Sequence, residues 1–365
     1  MKPSALALRG ASLAFALALA LPAFAASPAF QIPGFDYQQH NLVSDGAVAA
    51  DHVDPNLVNP WGIAFNPFGP VWLADNGTGL STLYDGAGVV QSLVVEIPAP
   101  GSDSGGTPSG TVYNGSQSFK VSKGALSGPS VFLFVTEDGV IAGWAPNVDS
   151  THAITAIDNS TYGAIYKGIA ITGAGNGGLL YATDFHNAKV DVYDANFQPV
   201  ALSGSAFRDA QIPTGYAPFG IQNINGDLYV TYAKQDADKH DDVPGPGFGY
   251  VDIYDPNGVL LRRFAARGAL NAPWGVALAP AGFGHASNTL LIGNFGDGRI
   301  NAYAPTLGVS LGSLKDSSGH PISIDGLWGL AFGNGYSSQS VNTLYFTAGP
   351  NGEADGLYGR IDPVK

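Results

Sequence analysis

Short apolar runs separated by polar turns recur along this chain at a spacing of about fifty residues, which is typical of repeat folds. The first run of each repeat carries an aromatic or apolar residue followed by glycine, as in Pro60-Trp61-Gly62-Ile63 and Pro273-Trp274-Gly275-Val276. The clear copies begin at residues 60, 167, 218, 273 and 327, and a degenerate copy begins near residue 109. A second apolar run follows each opening, a third often ends in Tyr-Asp, and several copies have a fourth.

This pattern predicts an all-β protein, a six-bladed β-propeller with four-stranded antiparallel blades. An isolated four-stranded sheet of this composition would leave two apolar faces in water, and stacking six sheets in a ring buries both. We therefore expect a single domain over residues 26–365, although the length alone would favour two. We also expect a strand near residues 41–43 to complete the last blade and close the ring.

The first 25 residues have the pattern of a secretory signal peptide. Lys2 and Arg9 provide the positive start, residues 11–21 form an apolar stretch too short to span a bilayer, and Ala23-Phe24-Ala25 fits a cleavage site. We expect cleavage after Ala25 and a secreted or periplasmic protein with no membrane span.

Composition and charge restrict the partners. The chain has no cysteine, so it has neither disulfides nor a thiolate site. Its formal net charge is −13, and loss of Lys2 and Arg9 makes it −15. Such an acidic surface repels nucleic acid. We expect a monomer whose partner is a small molecule, a glycan or a protein.

The repeats predict where a ligand site lies, because one face of a propeller collects the loops that enter the inner strands and the loops that follow the second strands. The first set of candidates opens the inner strands: Asn59, Trp61, Tyr166, Lys167, Phe219, Trp274 and Trp328. The second set follows the second strands: Asp75, Asn76, Glu137, Asp138, Asp184, His186, Lys234, Asn294 and Asp297. The candidate ligand-binding residues are Asn59, Trp61, Trp274 and Trp328 from the first set and Lys234 from the second.

Oxygen-bearing side chains dominate the second set, and oxygen ligands suit a hard divalent cation, with Ca²⁺ preferred. The candidate metal ligands are Asp75, Asn76, Glu137, Asp184 and Asn294. His186 or Asp184 is the candidate catalytic base. The alternative is that Asp and Asn at strand ends simply cap turns.

A polar insertion over residues 234–242, followed by a Pro-Gly-rich run to residue 249, is the longest in the chain. Its alternating aspartates resemble a calcium loop, but it lacks the glycine and the terminal glutamate of an EF-hand. The alternatives are a solvated lid beside the channel or a charged solvent loop.

Several phrases identify a resemblance, among them Asn59-Pro60-Trp61-Gly62, Asp241-Asp242-Val243-Pro244 and Gly293-Asn294-Phe295-Gly296. From about Asn41 onwards the chain resembles an exported bacterial propeller family of unknown function. More distantly it is similar to NHL-repeat and gluconolactonase/regucalcin propellers, in which a divalent cation sits in the channel on Glu, Asn and Asp side chains. The resemblance implies such roles for Glu137, Asp184 and Asn294.

The sequence is compatible with three different functions. The first is a secreted binding protein of the cell envelope or surface, whose channel face takes a sugar polymer or a protein. The alternative is a divalent-metal-dependent hydrolase or lactonase with its metal in the channel. The third is a purely structural exported protein. The sequence contains no P-loop or H-E-x-x-H motif, which favours binding over catalysis.

Overall fold

The computed structural model describes residue 1, residues 36–173 and residues 178–364. Residues 2–25 of the predicted signal peptide, including the cleavage site after Ala25, lie outside the described residues. Nearly all regular structure is β, in six small antiparallel sheets. Each inner strand contacts the inner strand of the next blade and the sixth contacts the first, so the sheets form a six-bladed propeller. The predicted fold is confirmed.

The first three blades follow one another along the chain. The N-terminal segment contains β1 (Tyr37–Ser44) and β2 (His52–Val53). Blade 1 contains β3 (Pro60–Phe65), β4 (Val71–Asp75), β5 (Leu80–Ser81), β6 (Leu83–Tyr84) and β7 (Val95–Glu96). Blade 2 contains β8 (Pro108–Tyr113), an inserted hairpin of β9 (Lys120–Lys123) and β10 (Leu126–Pro129), β11 (Phe132–Thr136), β12 (Val140–Trp144) and β13 (Ile154–Asp158). Blade 3 contains β14 (Tyr166–Thr172), β15 (Leu179–Asp184) and β16 (Lys189–Tyr193).

The last three blades repeat this order. Blade 4 contains β17 (Tyr216–Ile224), β18 (Asp227–Lys234), β19 (Tyr250–Tyr254) and β20 (Leu260–Ala266). Blade 5 contains β21 (Pro273–Leu278), β22 (Leu290–Asn294), β23 (Ile300–Tyr303) and β24 (Ser310–Ser313). Blade 6 contains β25 (Leu327–Phe332), β26 (Leu344–Ala348) and β27 (Leu357–Pro363). Short helical turns cover Ser160–Tyr162, Gly284–Ala286 and Pro350–Glu353.

Two blades depart from the simple repeat. In blade 3 a single bridge between Tyr193 and Pro199 stands where other blades have an outer strand. The N–H of Val200 donates to the carbonyl of Val192 at 2.8 Å, so the pairing continues one residue beyond the proline without forming a regular strand. In blade 6 the outer strand is β1, which pairs antiparallel with β27, as the sequence predicted. The sixth sheet therefore joins the two ends of the described domain.

Glycine near the start of each inner strand lets the blades approach the axis. A Cβ on Gly220 would lie 2.2 Å from the carbonyl oxygen of Trp274, and one on Gly275 would lie 2.6 Å from that of Trp328. Each glycine therefore admits the backbone of the next inner strand, where any larger residue would force the strands apart. Apolar side chains fill the space between neighbouring sheets, as in the cluster of Leu291, Leu327 and Phe346.

In the part of the chain that the structure describes, no helix has the length and apolar character to cross a membrane.

Tyr37 secures the closing strand to blade 5. Its hydroxyl donates to the carbonyl oxygen of Phe283 at 2.7 Å and accepts from the N–H of Ala286 at 2.8 Å, in a buried site. We expect Tyr37→Phe to lower the free energy of unfolding by about 1–3 kcal/mol, because two buried backbone groups lose their partner. Urea denaturation measures this, with Tyr162→Phe as the control because Tyr162 is 76% exposed. Equal stability of the two variants would contradict this role for Tyr37.

Candidate functional site

A layer of aromatic side chains fills the centre of the ring. Its members come from five different blades and contact one another, so they lie at the axis: Trp61, Phe185, Phe219, Trp274, Phe295 and Trp328. The rings of Trp61 and Trp328 stack with their centroids 3.6 Å apart, and Phe295 stacks on Trp328 at 4.1 Å. The three tryptophans predicted to bind ligand are 2%, 9% and 1% exposed. Their faces therefore pack against other aromatic rings and form a floor.

A polar cluster lies beside this floor, and we call it the channel-mouth cluster. Its members share hydrogen bonds or charge interactions and come from blades 1, 2, 3, 4 and 6. They are Asn59, Asn76, Glu137, Lys167, Asp241, Asp242 and Glu353.

Lys167 is the central member of the cluster. Its side chain is 1% exposed, and its ammonium donates to Glu137 Oε1 and, at 3.2 Å, to Asp241 Oδ1. The Nζ atom also lies 4.9 Å from the ring centroid of Trp61. Burial favours the neutral amine, but the two carboxylates outweigh it and raise the pKa of Lys167. The amine is therefore protonated at neutral pH and acts as a fixed cation, not as a nucleophile.

Two asparagines connect the carboxylates to the floor. Asn76 Nδ2 donates to Glu137 Oε2 at 2.8 Å, and Asn59 Nδ2 donates to Glu353 Oε2 at 3.1 Å. The indole N–H of Trp328 donates to Asn59 Oδ1 at 3.1 Å. Asn59 has a φ of +47°, a left-handed conformation that asparagine tolerates better than most residues. The backbone at Asn59 thus directs its amide between the aromatic layer and the acidic side chains.

The acidic members of the cluster ionise differently. Burial raises the pKa of Asp242 to about 7, and its Oδ2 has no hydrogen-bond partner among the described residues. Burial also raises the pKa of Glu353, with repulsion from Glu137 adding to it. Burial acts in the same direction on Asp241, but Lys167 and His240 together hold its pKa below the usual value. Two adjacent aspartates therefore have pKa values displaced in opposite directions, as acid and base groups of functional sites often have.

The insertion over residues 234–242 brings the two aspartates to the axis. Its ends are held by a bridge between Gln235 and Asp242 and by the N–H of Val243, which donates to the carbonyl of Lys234 at 2.7 Å. The side chain of Lys234 itself lies over the ring of Phe248, at 4.6 Å from its centroid. This arrangement favours the lid interpretation of the insertion, since Asp241 reaches across to Lys167.

Three of the predicted metal ligands make no contact with the channel-mouth cluster through their side-chain hydrogen bonds in the described residues. Asp184 accepts from the backbone N–H of Ile165 and Asn187, and Asn294 donates to Ala269 and Asp297. Asp75 is fully buried in blade 1. The first two thus have the turn-capping role that the sequence left open. Of the five, only Asn76 and Glu137 belong to the channel-mouth cluster.

The predicted catalytic pair also lies apart from this cluster by its contacts. His186 is half-buried, its carbonyl accepts from Gln235, and its Nδ1 has no partner in the described part of the chain. Burial raises the pKa of Asp184, although its bonds with Asn187 oppose the shift. No hydrogen bond joins His186 to Asp184 in that same part of the chain, so the structure supplies no base–orienter pair here.

Glu353 is the member that sequence reasoning missed. It follows the second strand of blade 6, as Glu137 follows that of blade 2, but four residues separate it from β26, whereas Glu137 comes directly after its strand. The extra residues hide the similarity of Glu353 to Glu137 in the sequence. In the structure the helical turn Pro350–Glu353 fills them and returns the Glu353 carboxylate to the channel-mouth cluster, where it accepts from Asn59. Comparison of the loops after all six second strands is the signal that finds it.

A divalent cation fits this cluster poorly. Glu137, His240 and Asp241 present ligand atoms within 4.8 Å of one another, which is the spacing of a metal site. Two of these three side chains, however, already bind the ammonium of Lys167. A metal ion on the same oxygens would lie beside a buried positive charge, and that repulsion opposes binding.

The other end of the channel has a different character. A cavity of ≈ 720 Å³ lies there, lined by the far ends of the inner strands, with side chains such as Phe65, Val112, Ile171, Leu278 and Phe332. None of its lining residues is charged. The two ends of the channel thus differ in charge, since the channel-mouth cluster carries charged side chains and the lining of this cavity carries none.

Removing the central cation tests the electrostatics. We expect Lys167→Met to lower the free energy of unfolding at pH 7 by about 1–3 kcal/mol, because it removes the charged hydrogen-bond donor of Glu137, whose side chain is 11% exposed, and of the more exposed Asp241. The deficit should shrink towards pH 4. In the wild type, the stability from the lowered pKa of Asp241 is present above its ordinary pKa and is lost as pH falls. Denaturant melts across pH measure this, with Lys120→Met on exposed β9 as control; a deficit independent of pH would contradict it.

Asp242 should have the opposite pH dependence. A folded-state pKa of about 7 means that the folded protein keeps a proton that the unfolded chain has lost, so the wild type loses stability as pH rises from about 4 to 7. We expect Asp242→Asn to be more stable than the wild type at pH 8 by about 1–3 kcal/mol, and equal to it near pH 4. Asp238→Asn, in the exposed part of the same insertion, is the control. A variant less stable than the wild type at pH 8 would contradict the assignment.

Comparison with known proteins identifies relatives but no function. No protein-family model matches the chain. A protein of unknown function from Bacteroides thetaiotaomicron has a TM-score of 0.56 at 10% identity, covering 90% of this chain and 77% of its own. Virginiamycin B lyase from Staphylococcus aureus has a TM-score of 0.49 at 13% identity, with 90% and 99% covered. A gluconolactonase from Xanthomonas campestris has a TM-score of 0.40 at 16% identity, with 63% and 81% covered. At these identities the likeness concerns the fold alone.

A relative by sequence is viral. The uncharacterized protein R648 of Acanthamoeba polyphaga mimivirus is 37% identical over 330 residues, which cover 88% of this chain and 78% of the viral protein. The resemblance noted in the sequence pointed to an exported bacterial family, and this relative supports neither the bacterial nor the exported part. The chain therefore belongs to the same family as mimivirus protein R648.

Proposed function

We propose that this protein is a binding protein whose ligand contacts the channel-mouth cluster. The observation that carries the proposal is the buried Lys167 ammonium held between carboxylates from two other blades. Burying charged groups costs free energy that apolar packing would not, so such a cluster at the axis is better explained by recognition than by stability. The aromatic floor below it adds rigidity.

The charge balance of the cluster indicates the ligand class. Four carboxylates surround one cation, and Lys167 already occupies Glu137 and Asp241. Asp242 keeps an oxygen without a partner in the described chain, and Glu353 accepts from Asn59 through one oxygen. These acceptors suit a ligand rich in hydrogen-bond donors, such as the hydroxyls of a sugar polymer or the basic side chains of a protein. We propose such a ligand, bound by a secreted or periplasmic monomer.

Glycan and basic-peptide arrays, followed by calorimetry in EDTA, test this function. We expect binding without a divalent metal, and a loss of affinity of about 10- to 100-fold for Glu353→Gln and for Asp242→Asn, since each removes a charged acceptor. Glu96→Gln, at the outer strand of blade 1, should bind as the wild type does. Equal affinity of all four proteins would contradict the proposal, as would binding that appears only with added metal.

A hydrolase is the second candidate, favoured by the opposite pKa displacements of Asp241 and Asp242. A carboxyl group with a pKa of about 7 can donate or accept a proton at neutral pH. Ester and lactone panels, run with and without chelator, test this candidate. Turnover that falls at least about tenfold in Asp242→Asn, while Glu96→Gln keeps wild-type turnover, would establish an enzyme in place of a binding protein.

A further inference from the structure

A second acidic site lies between blade 1 and the N-terminal segment, and in the described residues no side-chain hydrogen bond joins its carboxylates to the channel-mouth cluster. Asp75 ends β4, is 0% exposed, and neither of its carboxylate oxygens has a hydrogen-bond partner in the described structure. No salt bridge reaches it from any described residue either. An ionised carboxylate in such a place costs several kcal/mol unless a proton or a cation neutralises it.

Other oxygens surround Asp75. Thr82 lies beside β4, because the N–H of Leu73 donates to its carbonyl at 3.0 Å. The hydroxyl and the N–H of Thr82 both oppose the burial that raises the pKa of Asp75, although neither makes a well-formed hydrogen bond with that carboxylate. Asp54 is 4% exposed, and its charge adds to the shift that burial causes. The hydroxyl of Tyr84 donates to Asp54 Oδ2 at 2.9 Å, and the charge of Asp75 acts on the same hydroxyl. Tyr84 pairs with Val71 in β4, so its bond to Asp54 holds that carboxylate against the strand that Asp75 ends.

The N-terminal segment that carries Asp54 is held against this part of blade 1. The N–H of Asp54 donates to the carbonyl of Ser44 in β1 at 2.8 Å. Thr78, three residues after Asp75, donates to the carbonyl of Asn56 at 2.7 Å. A cation between Asp54 and Asp75 would thus link the ring-closing segment to blade 1.

We propose that Asp54, Asp75 and Thr82 form a structural Ca²⁺ site at this junction. Two carboxylates balance the charge of one divalent cation, and carboxylate and hydroxyl oxygens are the ligands that Ca²⁺ prefers. Lys167, which repels a metal from the channel mouth, is not among the charges that act on Asp75. The site stabilises the closed ring and takes no part in ligand recognition.

Equivalent positions in other blades show why this one needs an external cation. Asp184 ends β15 as Asp75 ends β4, and it is equally buried. It accepts from Asn187 at 2.8 Å, and Lys189 lies 3.6 Å away. In blade 3 the chain itself thus supplies the donors and the positive charge that Asp75 lacks.

The test is calorimetry and thermal melting of the chelator-treated full domain, with CaCl₂ as the probe. We expect one bound Ca²⁺ and a rise in melting temperature of several degrees, because a ligand of the folded state alone stabilises it. Both effects should disappear in Asp75→Asn and Asp54→Asn. They should persist in Asp184→Asn, the matched buried control, and in Glu137→Gln at the channel mouth.

Two results would overturn the site. If the wild type binds no Ca²⁺ and Asp75→Asn is as stable as the wild type, a proton neutralises Asp75. If Ca²⁺ binding is lost in Glu137→Gln and retained in Asp75→Asn, the ion belongs to the channel. Elemental analysis of the purified wild type before chelation is an independent measurement, and it requires no variant to fold.

Discussion

Pairing of β1 with β27 is the interaction on which the rest of the structure depends, because it makes the sixth sheet out of both ends of the described domain. A ring of stacked sheets has no exposed interior face only when it is closed. Closure brings the loops of all blades to one axis, and it allows groups far apart in sequence to meet there. Asn59 and Glu353, separated by 294 residues, are hydrogen-bonded only because blades 1 and 6 are neighbours.

Lys167 determines the chemistry of that axis. Its ammonium occupies the centre of an oxygen-rich cluster, which is the place where the resemblance to gluconolactonase-like propellers implied a divalent cation. A side-chain cation neutralises the nearby carboxylates permanently and does not depend on metal supply. What remains for a ligand is the acceptor capacity of Asp242 and Glu353, and this is the basis of the proposed binding function.

The fold could be predicted from the sequence because each blade is formed by one local sequence pattern that recurs along the chain. Each blade carries its own strand runs, and the glycine of each opening marks where inner strands approach. Blade 3 differs at its outer edge, where a single bridge between Tyr193 and Pro199 takes the place of an outer strand.

The site was less predictable, because its contacts are not local. Lys167 and Asp241 are 74 residues apart, and no spacing rule links them. The repeat places Asp75, Asp184 and Asn294 at similar positions, and for this reason we expected them to converge. Their contacts depend instead on the turn that follows each strand. Asp184 is bonded to Asn187 and Asn294 to Asp297 in these turns, while Asp75 has no partner in the described chain.

Anomalous X-ray scattering from crystals soaked in MnCl₂ tests most directly the central claim, that Lys167 supplies the positive charge of the channel mouth. If Lys167 has this role, the crystals will show no anomalous peak between Glu137 and Asp241, and the Lys167 ammonium will be bonded to both carboxylates. A manganese ion on those carboxylates, with Lys167 displaced, would show that a metal can take the place of Lys167 and would favour the metal-dependent hydrolase.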